Sequence, residues 1–160
     1  MTTQPNDTDK VWSLMEKIGV AMLVTRDHDK MRARPMGAYV AREENKVYFL
    51  TDARRHKDDE IARDPNVTLA FANAGSQKYV SVTGAAEVSN DRAKIKALFS
   101  TAAKAWWQSP DDPNIRVLKV TPDDAEYWDA PGTVVSYVKM AAAAATGSRP
   151  DIGENRKVRM

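Results

Sequence analysis

The chain of 160 residues contains no cysteine. That absence removes disulfides, thiolate nucleophiles and thiolate metal sites together. Histidine is scarce as well, with two copies. His28 sits in the turn-like "RDHDK" and His56 in a charged loop; neither setting supports haem ligation. An excess of one charge is also missing. Twenty-four basic residues against 22 acidic give a net charge of +2, too even a balance for nucleic acid or an anionic membrane surface as partner. No apolar run approaches the roughly 20 residues of a membrane span. The polar opening "MTTQPNDTDK" lacks the apolar core of a signal peptide. There is no internal repeat. A soluble, cytoplasmic protein with no membrane or nucleic-acid partner is the expectation.

What is there suits a globular chain, with 42% hydrophobic and 29% charged residues. The length predicts one domain, residues 1–145, and a tail over 146–160 whose few large apolar residues predict loose order. Asp7 or Thr8 can cap a helix with Val11, Leu14, Met15 and Ile18 on one face, ended by Gly19. "VAMLVT" (20–25) and "KVYFLT" (46–51) read as strands. Between them "MRARPMGAYV" (31–40) is a strand that Pro35 and Gly37 interrupt, and a proline there marks an edge or a bulge. A helix over 57–64 stops at Pro65. Strands follow over 67–73 and 79–89, then a helix from Asn90 or Asp91 toward Trp106, then a strand over 115–122. Pro131 opens a last helix, 131–145, with Gly147 past its end. Strands in hairpin order with helices inserted point to a mainly β fold, an antiparallel barrel with flanking helices.

One stretch, "FLTDARRHKDDEIARDPN", raises a chemical question. A strand ends at Thr51, and Arg54, Arg55, His56 and Lys57 follow before a helix. Free N–H groups of a first helical turn, arginine forks, a lysine and a threonine hydroxyl suit a phosphate. The other reading is a solvated loop whose arginines pair with Asp58, Asp59 and Glu60. "RARPMGAYV" adds Arg32 and Arg34 in a strand whose interruption leaves backbone groups free to meet the edge of a flat ring. Trp106, Trp107 and Trp128 are either core or a stacking surface.

The order of these pieces resembles the pyridoxamine 5′-phosphate oxidase-like split β-barrels, the FMN-binding type. "VYFLTDARRHKDDEIARDPNVTLAF" is similar to that family's flavin-phosphate segment, "RPMGAY" to its flavin-ring strand, "VSVTGAAEV" to its next strand and turn, and "TPDDAEYWD" to its closing aromatic segment. "AAKAWWQSPDDPNIRVLKVTPDDAEYWD" resembles the general stress protein 26 branch. The resemblance spans roughly residues 8–145. It implies an FMN cofactor with Arg34, Pro35 and Met36 along the ring edge and Leu50 and Thr51 along the ribityl chain and phosphate. Arg55 and Lys57 would hold the phosphate, with His56 nearby; Arg54 stands one position ahead of the match. Trp128, with Trp106 or Trp107 as further candidates, would come from the second subunit of a homodimer that carries flavin at its interface.

The departures carry information too. The oxidases themselves have an Arg-x-His element after the closing tryptophan that binds the pyridoxal substrate. Here that region reads "DAPGTVVSY", which implies no pyridoxamine phosphate oxidation. Two functions stay open. One is a flavin-dependent oxidoreductase or flavin reductase using NAD(P)H or a small-molecule substrate, with the cofactor supplying the chemistry. The other is a flavin store, sensor or interaction protein without turnover. No residue stands out as a general base.

Overall fold

The computed structural model describes residues 5–150 and 153–160, and for Pro5, Asn6 and Thr133 the backbone only. Positions 1–4 and 151–152, which fall within the expectations for the two ends, lie outside the described residues. Helix α1 spans Pro5–Ile18. Asp7 therefore lies inside its first turn and is buried, accepting a hydrogen bond from the Tyr127 hydroxyl at 3.2 Å. Gly19 ends the helix at φ +72°, where an L side chain is strained.

Eight strands follow: β1 (Val20–Asp27), β2 (Lys30–Gly37), β3 (Tyr39–Ala41), β4 (Lys46–Asp52), β5 (Asn66–Asn73), β6 (Lys78–Ser89), β7 (Ile115–Asp129) and β8 (Glu154–Arg159). Helices α2 (Lys57–Arg63), α3 (Arg92–Leu98) and α4 (Thr133–Thr146) are inserted between them. All the pairings are antiparallel, in the order β2-β1-β5-β6-β7-β4-β3 with β8 beside β7. Strands β2 and β3 are the two ends of that order, yet Ala38 alone separates them in sequence. The sheet must curl until its edges approach, which gives the split β-barrel with flanking helices. Pro35 sits in end strand β2, where a missing N–H breaks no ladder on the open side.

The long strands β6 and β7 bend where the register shifts between Thr83 and Gly84. Gly84 faces Pro122 there, and a Cβ on Gly84 would lie 2.4 Å from the Thr121 carbonyl oxygen. This bulge corrects two expectations. Proline at 122 does not end β7, because the bulge absorbs it, and the aromatic run to Asp129 continues the same strand. The first half of β7 pairs with β4 and the second half with β8. The tail is thus not loosely held over 154–159. The exposed half of β7 supplies backbone partners, and Val158, fully buried opposite Ala125, anchors the strand. One buried valine in "ENRKVR" is a weak apolar signal; the ladder does most of the ordering. Helix α3 also departs from expectation, ending at Leu98. Phe99 turns extended, and a 3₁₀ turn over Ala102–Ala105 carries the chain to Trp106.

The main core fills the barrel and is plugged by Val11, Trp12, Leu14 and Met15 of α1. Each of these buried side chains contributes about 1.5–3 kcal/mol. A second cluster joins Tyr48 and Leu50 of β4 to Ile95, Ala103, Trp107 and Ile115. It pins the segment after α3 against the end of β4, and that contact positions the site. Helix α4 is different: Val134, Val135, Tyr137, Val138 and Met140 are all exposed. Among the described residues no helix is long and apolar enough to cross a membrane.

Candidate functional site

A cavity of about 480 Å³ opens at the seam of the barrel. The end of β2 supplies Arg34, Pro35, Met36 and Gly37, and β3 supplies Tyr39. Leu50, Thr51 and Asp52 come from the end of β4, Arg54 and Arg55 from a 3₁₀ turn over Ala53–Arg55, and Lys57 from the start of α2. Ala102, Ala103, Trp106 and Trp107 close the far side. The volume falls within the range of small-molecule and cofactor sites.

The local sequence explains the arrangement of charge. Asp52 caps the 3₁₀ turn, accepting from the Arg54 backbone N–H at 2.9 Å. It also receives the Arg54 guanidinium through Nε at 2.8 Å and Nη2 at 2.5 Å, and the Trp107 indole N–H at 3.3 Å. The Arg54 hydrogen bonds hold the Asp52 carboxyl well below the usual carboxylate range. Arg54 and Asp52 therefore neutralise one another, and Trp107 is locked in place. Arg55 is exposed and has no hydrogen-bond or ion-pair partner among the described residues. Lys57 is half-buried and donates to the Thr51 hydroxyl at 3.1 Å. Burial, followed by the positive charges of Arg34 and Arg55, pushes the Lys57 ammonium below its ordinary value. Cations gathered in a partly desolvated wall without matching acids are a receptor for an anion.

Arg34 completes the wall. Its Nη2 donates to Glu60 of α2 at 2.9 Å, while its Nη1 is buried without a partner. Glu60 also receives the hydroxyl of fully buried Thr25. Beside these polar groups, Pro35, Met36, Leu50 and Trp106 give the cavity an apolar surface. Trp106 is 72% exposed, an unusual setting for an indole at a cavity mouth.

Nine of the eleven residues singled out from the sequence line this one cavity: Arg34, Pro35, Met36, Leu50, Thr51, Arg55, Lys57, Trp106 and Trp107. Two do not. His56 adopts a left-handed conformation at φ 59° between the 3₁₀ turn and α2, and its exposed ring faces Asp59 at 3.5 Å. Trp128 lies on β7 opposite Tyr79 and Asn155, outside the cavity and 38% exposed. Trp106 and Trp107, candidates for the partner's contribution, line the cavity of the same chain that carries the phosphate-type loop. Sequence reasoning missed Tyr39, Asp52 and Glu60. The Asp-x-Arg spacing of Asp52 and Arg54 was a readable capping signal; Glu60 reaches two strands distant in sequence and left no local sign.

A sequence profile of the pyridoxamine 5′-phosphate oxidase like family matches residues 6–151. General stress protein 26 of Bacillus subtilis (strain 168) is 26% identical over 130 residues, 79% of this chain and 91% of that protein. A crystal structure of the general stress protein 26 type from Jannaschia sp. CCS1 superposes with a TM-score of 0.80 at 24% identity, covering 98% of this chain and 100% of the other. The general stress FMN/FAD binding protein of Xanthomonas citri superposes with a TM-score of 0.67 at 23% identity, over 76% of this chain and 87% of that one. On the profile match, the split-barrel topology and these neighbours, the chain belongs to the pyridoxamine 5′-phosphate oxidase like family.

Proposed function

We propose that the seam cavity is a site for flavin mononucleotide and that the chain is a flavoprotein of the general stress type. The observation that carries this reading is the meeting of the Thr51 hydroxyl and of Arg55 and Lys57, two cations without acid partners among the described residues, with the apolar wall of Pro35, Met36, Leu50 and Trp106. In this reading Thr51, Arg55 and Lys57 hold the phosphate, Leu50 flanks the ribityl chain, and Arg34, Pro35 and Met36 face the ring edge. The buried, unpartnered Nη1 of Arg34 fits a ligand acceptor better than it fits an empty wall, since an unmet buried donor costs about 1–3 kcal/mol. The name of the Xanthomonas citri neighbour supports a flavin nucleotide without choosing between FMN and FAD. When bound, the flavin supplies redox chemistry. The protein binds its phosphate, orients its ring and excludes water on the Trp107 side.

The reading includes a cytoplasmic homodimer. The exposed apolar face of α4 and the half-exposed Trp128 support burial against a second copy that completes the flavin pocket. Light scattering on the flavin-loaded protein is expected to give twice 17.8 kDa; a mass of one chain contradicts it. Turnover as an oxidoreductase or flavin reductase is tested by anaerobic mixing with NADH or NADPH, watching the flavin bleach. One observation favours the second reading, a flavin store or sensor. Among the described residues the one carboxylate on the cavity wall, Asp52, is held ionised by Arg54 and is too weak a base to take a proton from a substrate. Pyridoxamine phosphate oxidation is not expected. After Trp128 the next cation is Lys139, and Asp129 already engages Lys10 and Lys78. Arg156 and Arg159 of β8 are likewise outside the cavity wall.

A further inference from the structure

Glu60 follows exposed Asp59, which faces His56, and precedes buried Ile61 on α2. It stands with its side chain 14% exposed, against an Arg34 side chain 20% exposed. Thr25, fully buried on β1, donates its hydroxyl to the same Glu60 oxygen, Oε2, that accepts from Arg34. One oxygen thereby ties α2 to both strands of the β1–β2 hairpin. A buried ion pair of this kind is seldom a net source of stability, because desolvation offsets the attraction. It does fix a direction and a charge. Arg34 is the one lining cation on the strand side of the cavity, and Glu60 decides both where its guanidinium lies and how much of its charge the cavity feels. The same negative charge favours the protonated form of neighbouring Lys57, whereas Arg34 and Arg55 oppose it.

We infer that Thr25, Glu60 and Arg34 form a positioning relay, in which Glu60, braced by Thr25, holds Arg34 in the cavity wall and tempers the positive potential that a ligand ring experiences there. This rests on the cavity being a flavin site, and it assigns to Glu60 a control over that site that no ligand contact would reveal. Glu60 is a positioning residue, since it acts through Arg34. A more positive wall stabilises the reduced, more electron-rich ring relative to the oxidised one, so the reduction potential of bound flavin reports the relay directly.

The test compares Glu60→Gln, Glu60→Ala and the parent. Glutamine keeps a carbonyl that accepts from Thr25 and Arg34 and removes only the charge; alanine removes both. With FMN loaded, Glu60→Gln is expected to bind FMN within threefold of the parent. Its binding preference for reduced over oxidised flavin should rise about tenfold, a potential about 30 mV higher for the two-electron couple. Glu60→Ala is expected to lose FMN affinity tenfold or more as Arg34 comes loose. A potential unchanged in Glu60→Gln, or identical affinity in both variants, overturns the relay. A second arm needs no flavin. In the flavin-free protein, the Lys57 ammonium is titrated by nitrogen-resolved NMR, and Glu60→Gln is expected to lower its titration point further. If wild-type protein takes up no FMN, the flavin reading fails while this arm still decides the relay: an unmoved Lys57 titration refutes it.

Discussion

Replacing Lys57 by alanine separates a phosphate receptor from a decorated surface. Among the described residues Lys57 makes one hydrogen bond, to Thr51, and no ion pair, so alanine breaks no ion pair. A charge-assisted hydrogen bond to a phosphate contributes about 1.5–3 kcal/mol. Because Lys57 is only partly buried, screening places the effect at the lower end. The expected loss is about 1.5–2 kcal/mol, or roughly 10- to 30-fold in the FMN dissociation constant. Riboflavin, which lacks the phosphate, should bind the variant and the parent alike within about threefold. The flavin-free variant should melt no lower than the parent, since the change removes a desolvated cation from beside Arg34 and Arg55. The neighbouring Arg54→Ala is the internal control: Arg54 is already spent on Asp52, so its loss should weaken FMN less than Arg55→Ala does. Fluorescence titration of both flavins with all the variants reads these outcomes together. Equal weakening of FMN and riboflavin, or an unchanged FMN constant in Lys57→Ala, would refute the phosphate assignment.

Three other consequences are checkable. The Lys57 ammonium is depressed in the free protein and a bound anion raises it. Binding therefore takes up a proton between those two values, so FMN affinity holds below the depressed value and falls as pH rises through the window, more steeply than riboflavin affinity measured in parallel. Gly84→Ala drives a Cβ against the Thr121 carbonyl and is expected to cost about 1–3 kcal/mol, lowering the melting temperature by roughly 2–10 °C in a thermal-shift assay. Trp128→Ala leaves the chain's own cavity intact, so it should weaken FMN and shift the dimer equilibrium toward monomer together; weakened FMN with an unchanged dimer would mean a role other than the interface one proposed.

The barrel was legible because β5 and β6 alternate, β4 is a short continuous apolar run and the turns between strands carry Gly, Asn and Asp. The helix expected over 57–64 was equally clear, with Pro65 beyond it, and it runs over Lys57–Arg63. What escaped depended on partners far along the chain. Pro122 looks like a strand end until Gly84 is seen opposite it, and the bulge at Thr83/Gly84 is a property of two strands together. The tail has few apolar anchors, Val158 with Met160 beside it, and its order comes from the edge of β7 that β6 leaves free beyond the reach of β4. At the site, the cation cluster was readable from Thr51, Arg55 and Lys57 alone. Which arginine was free was not: Asp52 decides it by engaging Arg54, and Glu60 decides how Arg34 is held. His56 was placed by its neighbours in sequence, but its left-handed backbone turns the ring outward.

A crystal structure of the chain with FMN tests the central claim most directly. The account predicts flavin in the seam cavity, its phosphate within hydrogen-bond distance of Thr51, Arg55 and Lys57 and its ring against Arg34 to Met36. Flavin bound elsewhere, or a ring lying where the phosphate is assigned, would contradict it.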